Sequence, residues 1–175
     1  MSKRQARAIW EITLKCNLAC VHCGSRAASS RAQELSTEEA LDLVRQLAEV
    51  GIDEVALIGG EAFLRRDWLE IAAEIVRRGM LCTMVTGGYG ISEKLAAKMR
   101  KAGIRQCSVS IDGTEKTHDY LRGREGSWKS AFQSIENLEN AAIVTTCNTQ
   151  VNRLSLPELF EIYELIRAAG VKAWQ

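Results

Sequence analysis

The sequence predicts an α/β fold with parallel strands. Three observations carry this: short runs of β-branched and apolar residues recur along the chain, longer segments with apolar residues three and four apart lie between them, and glycines follow most of those longer segments. The strand-like runs are Ile9–Leu14, Glu54–Ile58, Leu81–Thr86, Gln106–Ile111, Ile143–Val151 and Val171–Trp174. Leu41, Val44, Leu47 and Ala48 share one face of the first helix, which a Ser36/Glu39 capping box opens and Gly51 closes. The second helix runs from Trp68 to Arg78 before Gly79, the third from Ser92 to Ala102 before Gly103, and the fourth from Ser127 to Ala142. The fifth begins near Ser155, with Pro157 in its first turn, and ends at Gly170. Strand and helix alternate five times before a sixth strand, so right-handed crossovers join neighbouring strands. Periodicity alone leaves open a closed or partial barrel, a two-layer curved sheet or a doubly wound sheet.

The 175 residues are one domain's length, and 46% hydrophobic with 26% charged residues is globular composition, excluding disorder, collagen and coiled coil. A net charge of +1 gives no broad electrostatic reason to expect nucleic acid or an anionic membrane surface as partner. No apolar run approaches the roughly 20 residues that span a bilayer. The start, Met1–Arg7, is basic without the apolar stretch of a signal peptide, so the expectation is a cytoplasmic protein. Neither repeat nor linker divides positions 1–175. The chain stops in or just after its sixth strand, which suggests the front portion of something longer.

Of six cysteines, Cys82, Cys107 and Cys147 sit singly in apolar runs and read as packing residues. The other three follow the first strand as Cys16, Cys20 and Cys23, a C-x3-C-x2-C spacing. In parallel α/β proteins ligands gather where strands end, and three thiolates on such a loop grip one soft metal centre. An iron–sulfur cube normally takes four thiolates, so three leave one iron open. Zinc, which as a structural ion wants a second pair of ligands, and free redox thiols remain alternatives at this point. After the second strand come Gly59, Gly60 and Glu61: either a turn, or a backbone without Cβ that a ligand approaches closely, with Glu61 as acceptor for an ammonium group.

These motifs, at successive strand ends, resemble those of the radical S-adenosylmethionine (SAM) enzymes. The resemblance spans most of the chain and implies a partial (β/α)6 barrel. It also implies that Cys16, Cys20 and Cys23 ligate a [4Fe-4S] cluster whose open iron binds the amino and carboxylate groups of SAM, and that Gly59, Gly60 and Glu61 contact the amino group. His22 stands where the family usually has an aromatic residue, and Ala62 where it often has proline. Ser110 and Asp112 resemble the segment that helps hold the carboxylate or ribose of SAM. His118, Asp119 and Arg122, in what reads as a loop, resemble the subgroup with C-terminal SPASM cluster domains, Arg122 being a candidate partner of the SAM carboxylate. No SPASM domain is recognisable in these residues.

Further along, Gly87, Gly88, Tyr89 and Gly90 form a tight connection or make room for the adenosine. Asn148 and Asn152 offer amides toward the same edge for ribose or substrate, and Trp174 offers an indole for stacking or packing. Trp68, Trp128 and Phe132 read as wedges between helices and sheet. The resemblance further implies reductive cleavage of SAM by an electron from an external one-electron reductant, then hydrogen abstraction from a substrate. A peptide or protein substrate, as in SPASM-type maturases, is the first expectation; a small-molecule cofactor precursor is the second.

Overall fold

The computed structural model describes residues 6–175, so the basic start expected at Met1–Arg7 lies mostly outside the described residues. Strands β1 (Arg7–Glu11), β2 (Glu54–Ile58), β3 (Leu81–Thr86), β4 (Gln106–Ser110) and β5 (Val144–Asn148) form one sheet in sequential order. Every pair is parallel, with Glu11 beside Ile58, Thr86 beside Val109, and Ser110 beside Asn148. This is the curved α/β arrangement of a partial barrel, and it brings the C-terminal ends of all five strands to one edge. Among the described residues no helix is long and apolar enough to cross a membrane.

The helices are α1 (Thr37–Glu49), α2 (Trp68–Arg77), α3 (Glu93–Lys101), α4 (Glu115–Arg122), α5 (Ser127–Asn140) and α6 (Leu159–Ala168). The capping box of α1 is present: the Glu39 amide donates to Ser36 Oγ at 3.2 Å and the Ser36 amide to Glu39 Oε2 at 2.8 Å. Two of the four free N–H groups of the first turn region are thus satisfied from within the motif. Ile71 and Ile75 of α2, Met99 of α3 and Ile135 and Leu138 of α5 are fully buried with Leu57 and Met84 of the sheet. Each such side chain contributes roughly 1.5–3 kcal/mol by leaving water. Cys82, Cys107 and Cys147 are buried and free, as their surroundings predict. Burial pushes the Cys82 and Cys147 thiols up to about 12, leaving them inert. Trp68 is buried, while Trp128 packs against Phe132 at 4.5 Å between ring centroids.

Three expectations are corrected. The segment around His118 and Arg122 is helix α4, because Thr114 and Gly123 bound it and only His118 and Leu121 face inward, too few to show a periodic stripe. The last helix starts at Leu159, later than Ser155: Pro157 sits in a preceding 3-10 turn, Leu156–Glu158, closed by the Glu158 amide donating to Ser155 O at 3.0 Å. The sixth strand is reduced to a single parallel bridge between Trp174 and Cys147. Its backbone still follows β5, Lys172 donating to Thr145 O at 2.9 Å and Gln175 to Cys147 O at 2.9 Å.

Candidate active site

A cavity of about 270 Å³ opens at the C-terminal edge of the sheet, lined by Cys16, Cys20, His22, Cys23, Gly59, Gly60, Glu61, Ser110 and Arg122, with Leu18, Thr86 and Gly87 among its walls. Three strand ends and one loop therefore meet where the motifs predict. The loop is held by backbone bonds at both ends and in the middle. Cys16 donates to Ala28 O at 3.1 Å, Ala19 to Arg122 O at 3.1 Å and Val21 to Leu121 O at 2.9 Å. The carbonyls that α4 leaves unpaired at its C-terminus thus anchor the cysteine loop. Asn17 adds a bond from Nδ2 to Tyr89 O at 2.7 Å, and Arg124 donates to Asn17 O at 3.1 Å while lying 4.2 Å over the Tyr89 ring. Tyr89 is thereby a strut of the loop.

The glycines after β2 also serve the packing of the chain. A Cβ on Gly59 would lie 2.5 Å from Thr13 O, and one on Gly60 2.5 Å from Lys15 O. The Gly60 and Glu61 amides are already spent on Thr13 O and Lys15 O, both at 2.8 Å. The missing side chains admit the backbone leading into the cysteine loop, and both glycines also line the cavity. Gly87 does the same for Leu18, whose side chain a Cβ there would strike.

Glu61 is 1% exposed. Its Oε2 accepts the Gly87 amide at 3.0 Å, and its Oε1 has no partner in the protein. Burial pushes its carboxyl up to about 7, against the pull of the Thr86 hydroxyl, the Gly87 amide and Arg122. Burial likewise raises the Cys16 and Cys20 thiols; the Leu18 amide draws Cys16 back and Arg122 draws Cys20 back. The Leu18 amide donates to Cys16 Sγ at 3.4 Å and the Ala27 amide to Cys23 Sγ at 3.3 Å.

Asp112 is also 1% exposed. Its Oδ1 accepts the Gln150 amide at 3.0 Å, and its Oδ2 lies 2.8 Å from Arg122 Nη2 and 3.1 Å from His22 Nε2. The Arg122 contact is an ion pair, and neither approach has the alignment of a hydrogen bond. Two further predicted residues stay away from the cavity. Asn148 ends β5 with its carbonyl accepting Ile111 N at 3.0 Å, outside the lining. Asn152 is turned into its own loop, where Oδ1 accepts Leu154 N at 2.8 Å and Nδ2 donates to Gln150 O at 3.2 Å. Trp174, 37% exposed, donates from its indole to Thr149 Oγ1 at 2.7 Å at the open sheet edge.

Sequence reasoning missed the part played by Asp119. Its carboxylate accepts Gly126 N at 2.6 Å, Ser127 Oγ at 2.8 Å and Trp128 N at 2.8 Å, capping α5 from a different helix. No local spacing signals this. It missed Arg65 too, which is buried, pairs with Asp67 at 2.7 Å and donates to Ile12 O at 3.0 Å, fixing the exit of β1.

Whether these residues fit an iron–sulfur cluster and SAM is decided by the donors present. Three cysteines line one cavity together with Glu61, a buried carboxylate with one oxygen unpaired, the complement of an ammonium group. Among the described residues no three His, Cys, Asp or Glu side chains converge as on a single ion. The set fits.

The model of the Radical SAM superfamily matches residues 10–166. The chain belongs to that superfamily. An AdoMet-dependent heme synthase of Oleidesulfovibrio alaskensis is 36% identical over 167 residues, which are 94% of this chain and 43% of that protein. The mycofactocin maturase MftC of Mycolicibacterium smegmatis is 31% identical over 163 residues, 92% of this chain and 41% of that protein. Among solved structures, SuiB of Streptococcus suis bound to S-adenosylmethionine shares the fold with a TM-score of 0.84 at 14% identity, covering 97% of this chain and 40% of that one. The chain thus spans less than half the length of the curated relatives it matches. The cofactors of that superfamily are a [4Fe-4S] cluster and SAM, the groups that this donor set fits.

Proposed function

We propose that Cys16, Cys20 and Cys23 ligate three irons of the cluster, and that Glu61 receives the ammonium of SAM on its unpaired oxygen. One observation carries this reading: the three cysteines line the same cavity as Glu61, a buried carboxylate with one oxygen free of any hydrogen bond. When bound, the cluster and SAM would supply one-electron chemistry: cleavage of SAM with an electron from an external reductant, and removal of a hydrogen atom from the substrate. The chain's share is positional. Glu61 orients the methionine end, the Gly59–Gly60 turn holds the cysteine loop against β2, and Leu18, Thr86 and Gly87 wall the site from water. Ser110, at the end of β4 and on the cavity wall, donates to the carboxylate or ribose of SAM. His22 holds its imidazole beside the site, with Nδ1 unpaired.

For the substrate we propose a small-molecule cofactor precursor of the iron-porphyrin kind, because the heme synthase is the more similar of the two relatives, 36% against 31%. This inverts the order that the motifs alone suggest. A peptide or protein side chain is the second reading, favoured by MftC. The electron comes from an external one-electron reductant, and the reaction runs in the cytoplasm, where thiols stay reduced. The test is anaerobic reconstitution followed by SAM, dithionite and either Fe-coproporphyrin III or a precursor peptide. About four irons per chain and 5'-deoxyadenosine that rises with the porphyrin support the first reading. A rise with the peptide alone supports the second, and a colourless protein holding stoichiometric zinc overturns both.

A further inference from the structure

The three sulfurs of the loop are not equivalent. Those of Cys16 and Cys23 accept backbone amides, whereas Cys20 Sγ lies 3.8 Å from Arg122 Nη1, within reach of an N–H···S bond. The guanidinium is 11% exposed and its Nη2 is held at 2.8 Å by Asp112 Oδ2. The same end of α4 anchors the residues on either side of Cys20, through Arg122 O to Ala19 N and Leu121 O to Val21 N. Gly123, with φ +63°, ends the helix where any Cβ would collide with Ala19 O. Cys20 is therefore gripped at its backbone and its sulfur by one helix terminus, and among the described residues it is the loop cysteine given a hydrogen bond from a fixed cation.

We propose that Arg122 is a positioning residue of the cluster loop, with Asp112 as its counter-ion: it fixes Cys20 and sets the reducibility of the site by placing a permanent positive charge against one of three sulfur ligands. The inference rests on the cluster reading of Cys16, Cys20 and Cys23, and it differs from the role the motif suggests, pairing with the carboxylate of SAM. Adding an electron to a thiolate-bound cluster adds negative charge, which a guanidinium in a poorly solvated site favours. Asp112 offsets part of that effect from the far side of Arg122.

The test is the midpoint potential of the reconstituted protein, read by dithionite titration and electron paramagnetic resonance without SAM, together with iron content and SAM affinity. Arg122→Gln should hold iron and become harder to reduce, by roughly threefold to tenfold in the reduction equilibrium, tenfold being about 59 mV for one electron. Arg122→Lys should recover most of the shift, and Asp112→Asn should move the potential the opposite way. If Arg122→Gln loses its iron, the sign of the Asp112→Asn shift decides: a rise supports the proposal, and a fall or no change overturns it. An unmoved potential with weakened SAM binding in Arg122→Gln assigns Arg122 to SAM and overturns it as well. Failure of the unsubstituted protein to take up iron would instead sink the cluster reading itself.

Discussion

The amide of Asp112 donates to Nδ1 of His118 at 3.2 Å, so the end of β4 is pinned to α4 by an imidazole that must stay neutral on that nitrogen. Burial, reinforced by Arg122, pushes His118 down to about 4. A base whose folded value lies below its unfolded one, near 6.5, contributes stability that is complete above pH 6.5 and is lost as pH falls toward 4. The loss should approach roughly 3 kcal/mol at the acid end. Urea unfolding of the apoprotein at pH 7.5 and pH 5 should show this fall, and His118→Asn should flatten it; an equal fall in the variant would assign the acid sensitivity elsewhere.

Glu61 supports a second pH prediction, again a loss on the acid side. Held up to about 7 by burial, it is largely protonated below that pH and a poor partner for an ammonium group. SAM affinity should therefore rise between pH 6 and pH 8, by up to about tenfold per unit on the acid side. Glu61→Gln should bind SAM weakly and without that slope, while keeping its iron. Isothermal titration of the reconstituted protein reads both, and an unchanged slope would remove Glu61 from the SAM site.

Asp119 closes three hydrogen bonds at the head of α5. Asp119→Ala should cost about 2 kcal/mol, the upper range for loss of a helix cap, because it leaves two backbone amides and a hydroxyl without their acceptor. Chemical denaturation measures this; a loss below about 0.5 kcal/mol would mean that water replaces the carboxylate.

Two glycine substitutions separate crowding from mere sequence change. Gly60→Ala would set a Cβ 2.5 Å from Lys15 O, whereas a Cβ on Gly24 meets nothing within 4 Å. The first should displace the cysteine loop and lower iron uptake at least severalfold, with the second loading normally. Equal loading by both would show that the loop tolerates being pushed off β2.

Much of this site is legible along the chain because its pieces are local. C-x3-C-x2-C and Gly59–Gly60–Glu61 each lie within a few residues, and the alternation of strands and helices brings both to the same sheet edge. The capping box of Ser36 and Glu39 is likewise written in adjacent turns. What stays hidden depends on approach between distant segments. That Arg122 meets Cys20 and Asp112, and that Asn152 turns into its own loop, follows from where α4 and the β5 exit come to rest. Helix α4 itself escapes detection because two buried residues on an otherwise polar surface make no stripe.

Because the cysteine loop hangs from the terminal carbonyls of α4, the spacing from His118 to Gly123 acts as a ruler. Inserting one residue there would swing the helix end by about 100° and carry both carbonyls away from Ala19 and Val21. Length changes in that stretch should thus be barred, however polar and unremarkable its residues look.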